Sequence, residues 1–204
     1  MRTFHAFIIK ISHMGKLFLA FVMGFALCLW LLRVIGAQFA SVTQGHLPFD
    51  LQNELSRAAV SEQLSVYTSA SRLWYWLFAA VDFAFPLLGG LFTAPAVAFL
   101  LRHTQPRLYA QLTTRHGFVY FTMPMLFDWL ENIANLLLIN FYPPLWAEAA
   151  NAMLTLKQFK LITLFITQGA LVMLFVIFLI TWPSRLKLSR DLSSGANEGQ
   201  NSSS

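Results

Sequence analysis

The sequence predicts an all-α integral membrane protein, a four-helix bundle with both termini in the cytoplasm. Three observations lead to this prediction: the composition, four long apolar stretches, and an uneven distribution of basic residues. Of the 204 residues, 57% are hydrophobic and only 11% are charged, whereas a soluble domain carries about 25% charged residues. The mean hydropathy is +0.59. Such a chain is expected to use the lipid bilayer as part of its solvent.

Four stretches are long and apolar enough to form membrane-spanning helices, each of which needs about 20 such residues. They cover about 17–40, 74–101, 117–141 and 161–182. Together they form one transmembrane domain over residues 1–190. The polar tail, 191–204, has the composition of a disordered segment. The first stretch resembles a signal peptide, but its apolar core is long and no small-residue cleavage site follows. We therefore expect an uncleaved anchor.

The positions of the basic residues predict the orientation. Nine lie on the side of the two termini: Arg2, Lys10, Lys16, Arg102, Arg107, Arg115, Arg185, Lys187 and Arg190. Five lie on the other side: Arg33, Arg57, Arg72, Lys157 and Lys160. Because segments rich in lysine and arginine stay in the cytoplasm, both termini are expected there. The membrane is expected to be a cell inner membrane. The basic residues form no surface typical of nucleic-acid binding.

Two connecting segments carry local signals. The external segment, 41–72, contains "PFDLQ", where Asp50 is expected to cap a helix that begins near Leu51. The sequence leaves open whether this segment lies on the membrane surface, covers the bundle or is a solvated connector. The stretch "YPPLW" at 142–146 predicts a turn, because consecutive prolines cannot continue a helix.

The third span carries four polar side chains on one face. If the span is helical, Asp128, Glu131, Asn132 and Asn135 fall within a stripe roughly 100° wide. A carboxylate exposed to lipid costs about 2.5–3.5 kcal/mol or more. The stripe is therefore expected to face protein or a water-filled cavity.

The second span carries a matching face. Its polar and small residues recur on one helical side: Tyr75, Asp82, Pro86, Gly89 and Thr93. Pro86 lacks an N–H and so frees the carbonyl of Asp82, four residues earlier. At 1.5 Å per residue, Asp82 lies about 12 Å from the outer end, Glu131 about 15 Å and Asp128 about 19 Å. The three acids are therefore expected to meet.

In the second, third and fourth spans no lysine, arginine or histidine lies in the interior, so the three acids are expected to have no cation nearby. They cannot then all be ionised, and at least one should hold a proton at neutral pH. The acids are protonated and hydrogen-bonded, or bind a cation, or receive a cationic or hydroxylated ligand. Interhelical hydrogen bonding, worth about 0.6 kcal/mol per bond, is the simpler interpretation. Hydrogen bonding between helices does not require three carboxylates, so their presence favours a functional pocket.

The predicted site is an acidic pocket between spans two and three. Its candidate ligand-binding residues are Tyr75, Asp82, Asp128, Trp129, Glu131, Asn132 and Asn135, of which Asp82, Asp128 and Glu131 are also candidate catalytic groups. The leading prediction is binding of a small lipophilic or cationic ligand. One alternative is an enzyme that acts on a lipid, isoprenoid or sterol-like substrate by carboxylate acid–base chemistry. Another is an accessory or assembly subunit, and a homo-oligomer or a membrane partner stays open.

The sequence predicts no metal site and no cofactor. The single cysteine, Cys28, excludes an internal disulfide and a CxxC motif. The residue three positions after Asp128 is Glu131, whereas di-iron bundles use a Glu-x-x-His pair.

Two resemblances add expectations. "DFAFP" at 82–86, "FDWLEN" at 127–132 and the preceding "PFDLQ" resemble the pattern of a widespread group of small bacterial four-span proteins, over residues 45–145. This resemblance implies a shared site rather than a reaction. More weakly, the chain resembles the EXPERA superfamily, which includes the sterol Δ8–Δ7 isomerase and the sigma-2 receptor. That resemblance implies a bundle of four or more helices, with acids at membrane depth that bind sterols or amine-bearing ligands.

Overall fold

The fold was determined as a computed structural model that describes residues 1–52, 54–143 and 146–201, with side chains as far as Thr181. Throughout these ranges the regular secondary structure is helical. The α-helices are α1 (Arg2–His13), α2 (Gly15–Ser41), α3 (Arg57–Ser65), α4 (Ser69–Thr104), α5 (Pro106–Thr114), α6 (Met123–Asn140) and α7 (Trp146–Asn201). Three helices are long and apolar enough to cross a membrane: α2, α4 and the Trp146–Thr181 part of α7.

Helix α4 is the centre of the fold and contacts α1, α2, α6 and α7. In its most apolar stretch 61% of the residues are buried, against 6% in α2 and 11% in α7. The outer helices instead expose large apolar side chains, such as Trp30 on α2 and Phe165 and Ile180 on α7. Apolar surface on this scale is typical of contact with lipid rather than water.

Helix α6 is shorter than the span predicted over 117–141. Residues Gly117–Thr122 form a 3₁₀ turn, which follows His116 in the left-handed region at φ 55°, and α6 has 18 residues. It carries carboxylates and amides, and it is not among the helices that are long and apolar enough to cross a membrane. The fourth membrane-embedded helix is therefore a proposal, taken up below.

Helix α7 begins well before the fourth span predicted at 161–182. Lys157 and Lys160, which the sequence analysis places outside that span, lie inside α7, and Lys157 is only 3% exposed. The expectation that the acids have no cation nearby is therefore wrong. Hydropathy alone places the start of the span after Lys160. The helix nevertheless includes both lysines, because their ammonium groups form ion pairs with carboxylates.

Parts of three sequence predictions lie outside the described residues, among them residue 53 of the external segment 41–72. Residues 144 and 145 of the turn predicted at 142–146 are among these, as are residues 202–204 of the tail. The disorder predicted for 191–204 stays a prediction.

Residues 46–52 and 54–68, which we call the lid, cover one end of the bundle. Asp50 does not cap a helix, so that prediction is wrong: Phe49–Leu51 forms a single 3₁₀ turn. Helix α3 begins instead after Ser56, whose Oγ accepts a hydrogen bond of 3.2 Å from the backbone N–H of Ala59. Phe49, Val60 and Leu64 are buried in a core shared with α4, α6 and α7. Of the three alternatives for this segment, the structure favours the covering role.

The opposite end of the bundle contains a buried histidine. His5 of α1 is 4% exposed, its ring stacks on Phe118 with centroids 5.8 Å apart, and the His116 ring lies 4.8 Å away. Its Nε2 finds no hydrogen-bond partner among the described residues. Burial lowers the pKa of His5 below its usual 6.5, and the nearby charge of His116 lowers that pKa further.

We expect the docking of α1 to weaken as the pH falls below about 6.5. Below this pH, His5 binds a proton in the unfolded chain but not in the folded chain. The free energy of unfolding therefore decreases as the pH falls. Hydrogen exchange of the α1 amides at about pH 7.5 and about pH 5.5 should show smaller protection factors, which compare each rate with that of the unfolded chain at the same pH, at the lower pH in the parent protein. His5→Phe should remove much of this difference, and the control His46→Gln should keep it. An equal difference in His5→Phe and the parent would refute the assignment to His5.

Candidate functional site

Six ionisable side chains from four parts of the chain meet beneath the lid. We call them the acid–lysine cluster: Asp50 from the lid, Asp82 from α4, Asp128 and Glu131 from α6, and Lys157 and Lys160 from α7. The side chains in the ion pairs are between 0% and 13% exposed. Two acids spaced three residues apart on α6 face two lysines spaced three apart on α7. This spacing places each pair on one helical face.

Lys160 is the centre of the cluster. Its Nζ lies 2.6 Å from Glu131 Oε2, 3.0 Å from Asp128 Oδ1 and 3.6 Å from Asp50 Oδ1. One ammonium thus joins α7, α6 and the lid.

Lys157 makes the second connection between α7 and the lid. Its Nζ lies 3.1 Å from Glu131 Oε1 and donates a hydrogen bond of 2.7 Å to the carbonyl oxygen of Phe49. Glu131 therefore bridges the two lysines, one with each carboxylate oxygen, and its side chain is fully buried.

Asp50 is a member of the cluster that sequence reasoning assigned to a different role. Its Oδ2 accepts a hydrogen bond of 2.8 Å from Asn135 Nδ2, and the Tyr75 hydroxyl lies 3.5 Å from the same oxygen. The only signal for it in the sequence was the "PFDLQ" stretch of the family resemblance, because a loop residue has no helical periodicity.

Asp82 differs from the other acids because, among the described residues, no lysine forms an ion pair with it. It is 4% exposed, and its Oδ2 has no hydrogen-bond partner among the described residues. Asp50, Asp82 and Asp128 each offer one carboxylate oxygen, and these three oxygens lie within 4.8 Å of one another. Asn132 lies beside Asp82, and its Nδ2 is also buried without a partner in the described structure.

Trp129 and Tyr75, predicted as walls of the pocket, have structural contacts. Trp129 Nε1 donates a hydrogen bond of 2.8 Å to the carbonyl oxygen of Phe83, which ties α6 to α4 close to Pro86. Tyr75 is 1% exposed and its ring packs edge-on against Phe39. Both residues fix the helices around the cluster.

The cluster contains more acid than base. Four carboxylates face two ammonium groups, so the fully ionised cluster has an excess of two negative charges. Uncompensated charge in a buried site is costly, and the low dielectric of a membrane raises the cost. The excess must therefore be neutralised by protons or by a cation from outside. The sequence predicts three acids without a base, and the structure still has more acids than bases once Asp50, Lys157 and Lys160 are included.

The cluster is largely shielded from its surroundings in this conformation. The side chains in its ion pairs are at most 13% exposed, and Asp82 is 4% exposed. A ligand would therefore reach the acids only after the lid or the side chains around them move.

No family model, curated protein or solved structure matches the chain. The interpretation of the cluster therefore depends on its geometry and charge.

Proposed function

We propose that the chain is an integral membrane protein in which α2, α4, α6 and α7 form a four-helix membrane bundle, with both termini in the cytoplasm. The distribution of basic residues supports this orientation more strongly after the correction to α7. With Lys157 and Lys160 assigned to the cluster, only Arg33, Arg57 and Arg72 remain on the outer side, against nine basic residues on the inner side. The resemblance to a bacterial four-span group makes a cell inner membrane the proposed location.

The proposed function is binding of a small lipophilic ligand that carries a positive charge, such as an amine, at the acid–lysine cluster. The observation that carries this proposal is the excess of carboxylates together with the unpartnered, buried Oδ2 of Asp82. An ammonium has three donors, and the oxygens of Asp50, Asp82 and Asp128 lie close enough together to accept from one such group.

An organic cation fits the site better than a bare divalent ion. Mg²⁺ requires close octahedral oxygen ligands at about 2.0–2.1 Å, but Lys160 Nζ already lies 3.0 Å from Asp128 Oδ1. A divalent ion would have to approach this ammonium closely, at a large electrostatic cost in a buried site. A monovalent ammonium adds less charge, and the apolar part of the ligand suits the surrounding bundle.

The lid couples binding to closure. Asp50 belongs both to the lid and to the group of carboxylates proposed to hold the ligand, and Asn135 and Lys160 anchor it to the bundle. A cation bound between Asp50 and Asp82 would add a link between the lid and α4. The ligand is therefore expected to hold the lid closed.

We expect decylamine to raise the unfolding temperature of the purified protein in detergent, and Asp82→Asn to abolish this shift. Ligand binding to the native state stabilises it, and asparagine removes the charge while preserving the shape. Without ligand, Asp82→Asn should be at least as stable as the parent, because it removes a buried carboxylate that no lysine contacts.

Two controls make this test specific. Decanol, the neutral counterpart, should give no comparable shift, and Glu148→Gln, which neutralises an exposed acid on α7, should respond to decylamine like the parent. An undiminished shift in Asp82→Asn, or equal shifts with decylamine and decanol, would refute binding at this cluster.

A further inference from the structure

An apolar groove lies at the end of the bundle opposite the acid–lysine cluster. It has a volume of about 540 Å³ and is bounded by the junction of α1 and α2 and by α4 and α7. This volume is within the range of roughly 300–1,000 Å³ that is usual for small-molecule sites. Its walls are almost entirely apolar, with aromatic rings from three helices: Phe18, Phe92, Phe99 and Phe175. The walls are thus suited to a hydrocarbon chain.

The groove also has a basic group in its lining. Arg102 and His13 both line it, and the guanidinium contacts the imidazole ring. Arg102 also approaches the carbonyl oxygen of Ser12 at 3.5 Å and the ring of Phe99 at 5.6 Å. A guanidinium has five N–H donors, so these contacts leave donors available.

Arg102 has no carboxylate partner in the described structure. All the ion pairs found among the described residues belong to the acid–lysine cluster. The side chain that contacts the Arg102 guanidinium is His13, which carries no negative charge. Burial lowers the pKa of His13, and the charges of Arg102 and His103 lower it further. The electrostatic potential here favours an anion.

The depth of the groove agrees with a headgroup at the membrane surface. Arg102 lies 28 residues after Trp74, which marks the outer end of the span on the same helix, a separation of about 42 Å along the axis. This is about the thickness of a bilayer including its headgroup regions, about 40–45 Å. In the proposed orientation Arg102 therefore lies near the cytoplasmic interface, and the aromatic walls extend from it along the apolar helices.

We propose that this groove binds an anionic phospholipid, with its phosphate held by Arg102 and an acyl chain packed against Phe18, Phe92 and Phe175. The apolar walls alone would accept any chain. The unpaired guanidinium selects for a negatively charged headgroup, because charge-assisted hydrogen bonds to phosphate are the stronger kind. This inference rests on the proposed membrane orientation and not on the binding of a ligand at the cluster.

Native mass spectrometry of the full-length protein in detergent, with defined lipids added, tests the proposal. The probes are phosphatidylglycerol, phosphatidylcholine with the same chains, and glycerol phosphate as the headgroup alone. The parent should bind phosphatidylglycerol about tenfold more tightly than phosphatidylcholine, which corresponds to about 1.4 kcal/mol. Arg102→Gln should remove this preference. Glycerol phosphate should not compete at the same concentration, because it lacks the chain.

Two further variants separate the groove from general attraction to basic residues. Arg107→Gln removes an exposed charge from α5, outside the groove, and should keep the preference. Ala96→Phe places a ring in the groove and should weaken binding of both lipids. The unfolding temperature of each variant shows whether it is folded. An unchanged preference in Arg102→Gln, its loss in Arg107→Gln, or full lipid binding by folded Ala96→Phe would overturn the proposal.

Discussion

Replacing Lys160 with methionine is expected to destabilise the protein by about 3–5 kcal/mol at neutral pH, the usual cost of removing one partner from a buried ion pair. The ammonium of Lys160 lies within 3.6 Å of Asp50, Asp128 and Glu131. Without it, three carboxylates remain close together in a buried site. Methionine has a similar length, so packing is largely preserved and the effect is mostly electrostatic.

Reversible unfolding in mixed detergent micelles measures this loss. Lys16→Met is the matched control, because Lys16 is exposed at the start of α2, and it should cost little. Adding Asp128→Leu to Lys160→Met should recover part of the loss, as expected for residues in contact. A cost below about 1 kcal/mol for Lys160→Met, the range of exposed pairs, would show that the cluster is not formed.

Replacing Glu131 with alanine is expected to cost a similar amount, about 3–5 kcal/mol, and also to loosen the lid. Glu131 gives one carboxylate oxygen to each lysine, at 3.1 Å and 2.6 Å. Lys160 keeps Asp50 and Asp128 after the change. Among the described residues, Lys157 keeps only the carbonyl oxygen of Phe49. A buried ammonium therefore loses its countercharge, and the lid is anchored less firmly.

Trypsin cleavage after Arg57, at the start of α3, reports on the lid. Arg57 is held over the ring of Trp146, 5.5 Å from its centroid, so cleavage is expected to require opening. Glu131→Ala should be cut at least about tenfold faster than the parent, because local opening follows local stability. Glu62→Ala, which removes an exposed acid from the same helix, should be cut at the parental rate. Equal rates in Glu131→Ala and the parent would contradict the anchoring role.

The sequence was most informative where helical periodicity applies. The stripe on α6 was predicted to face inward, and the structure buries Glu131, Asn132 and Asn135. The face of α4 that carries Tyr75 and Asp82 is buried as well. Lipid penalises polar groups so strongly that the direction of such a stripe can be inferred from its residues alone.

The sequence was misleading where the ion-pair partner of a residue lies on another helix or in a loop. Lys157 and Lys160 look like residues that end a hydrophobic stretch, and a hydropathy criterion cannot know that acids face them. A paired signal was present, since two acids spaced by three precede two lysines spaced by three across a short turn. Asp50 gave no periodic signal, because a lid residue is positioned by tertiary contacts rather than by its helix.

The proposed function requires that protons neutralise the excess carboxylates of the cluster. A cationic ligand then displaces these protons when it binds. Calorimetric titration of decylamine in two buffers with different ionisation enthalpies counts those protons. With four carboxylates and two lysines, charge balance predicts release of about one proton per bound monovalent cation in the parent, and neither binding nor release in Asp82→Asn. Tight binding without proton release, or equal release in Asp82→Asn, would contradict the account.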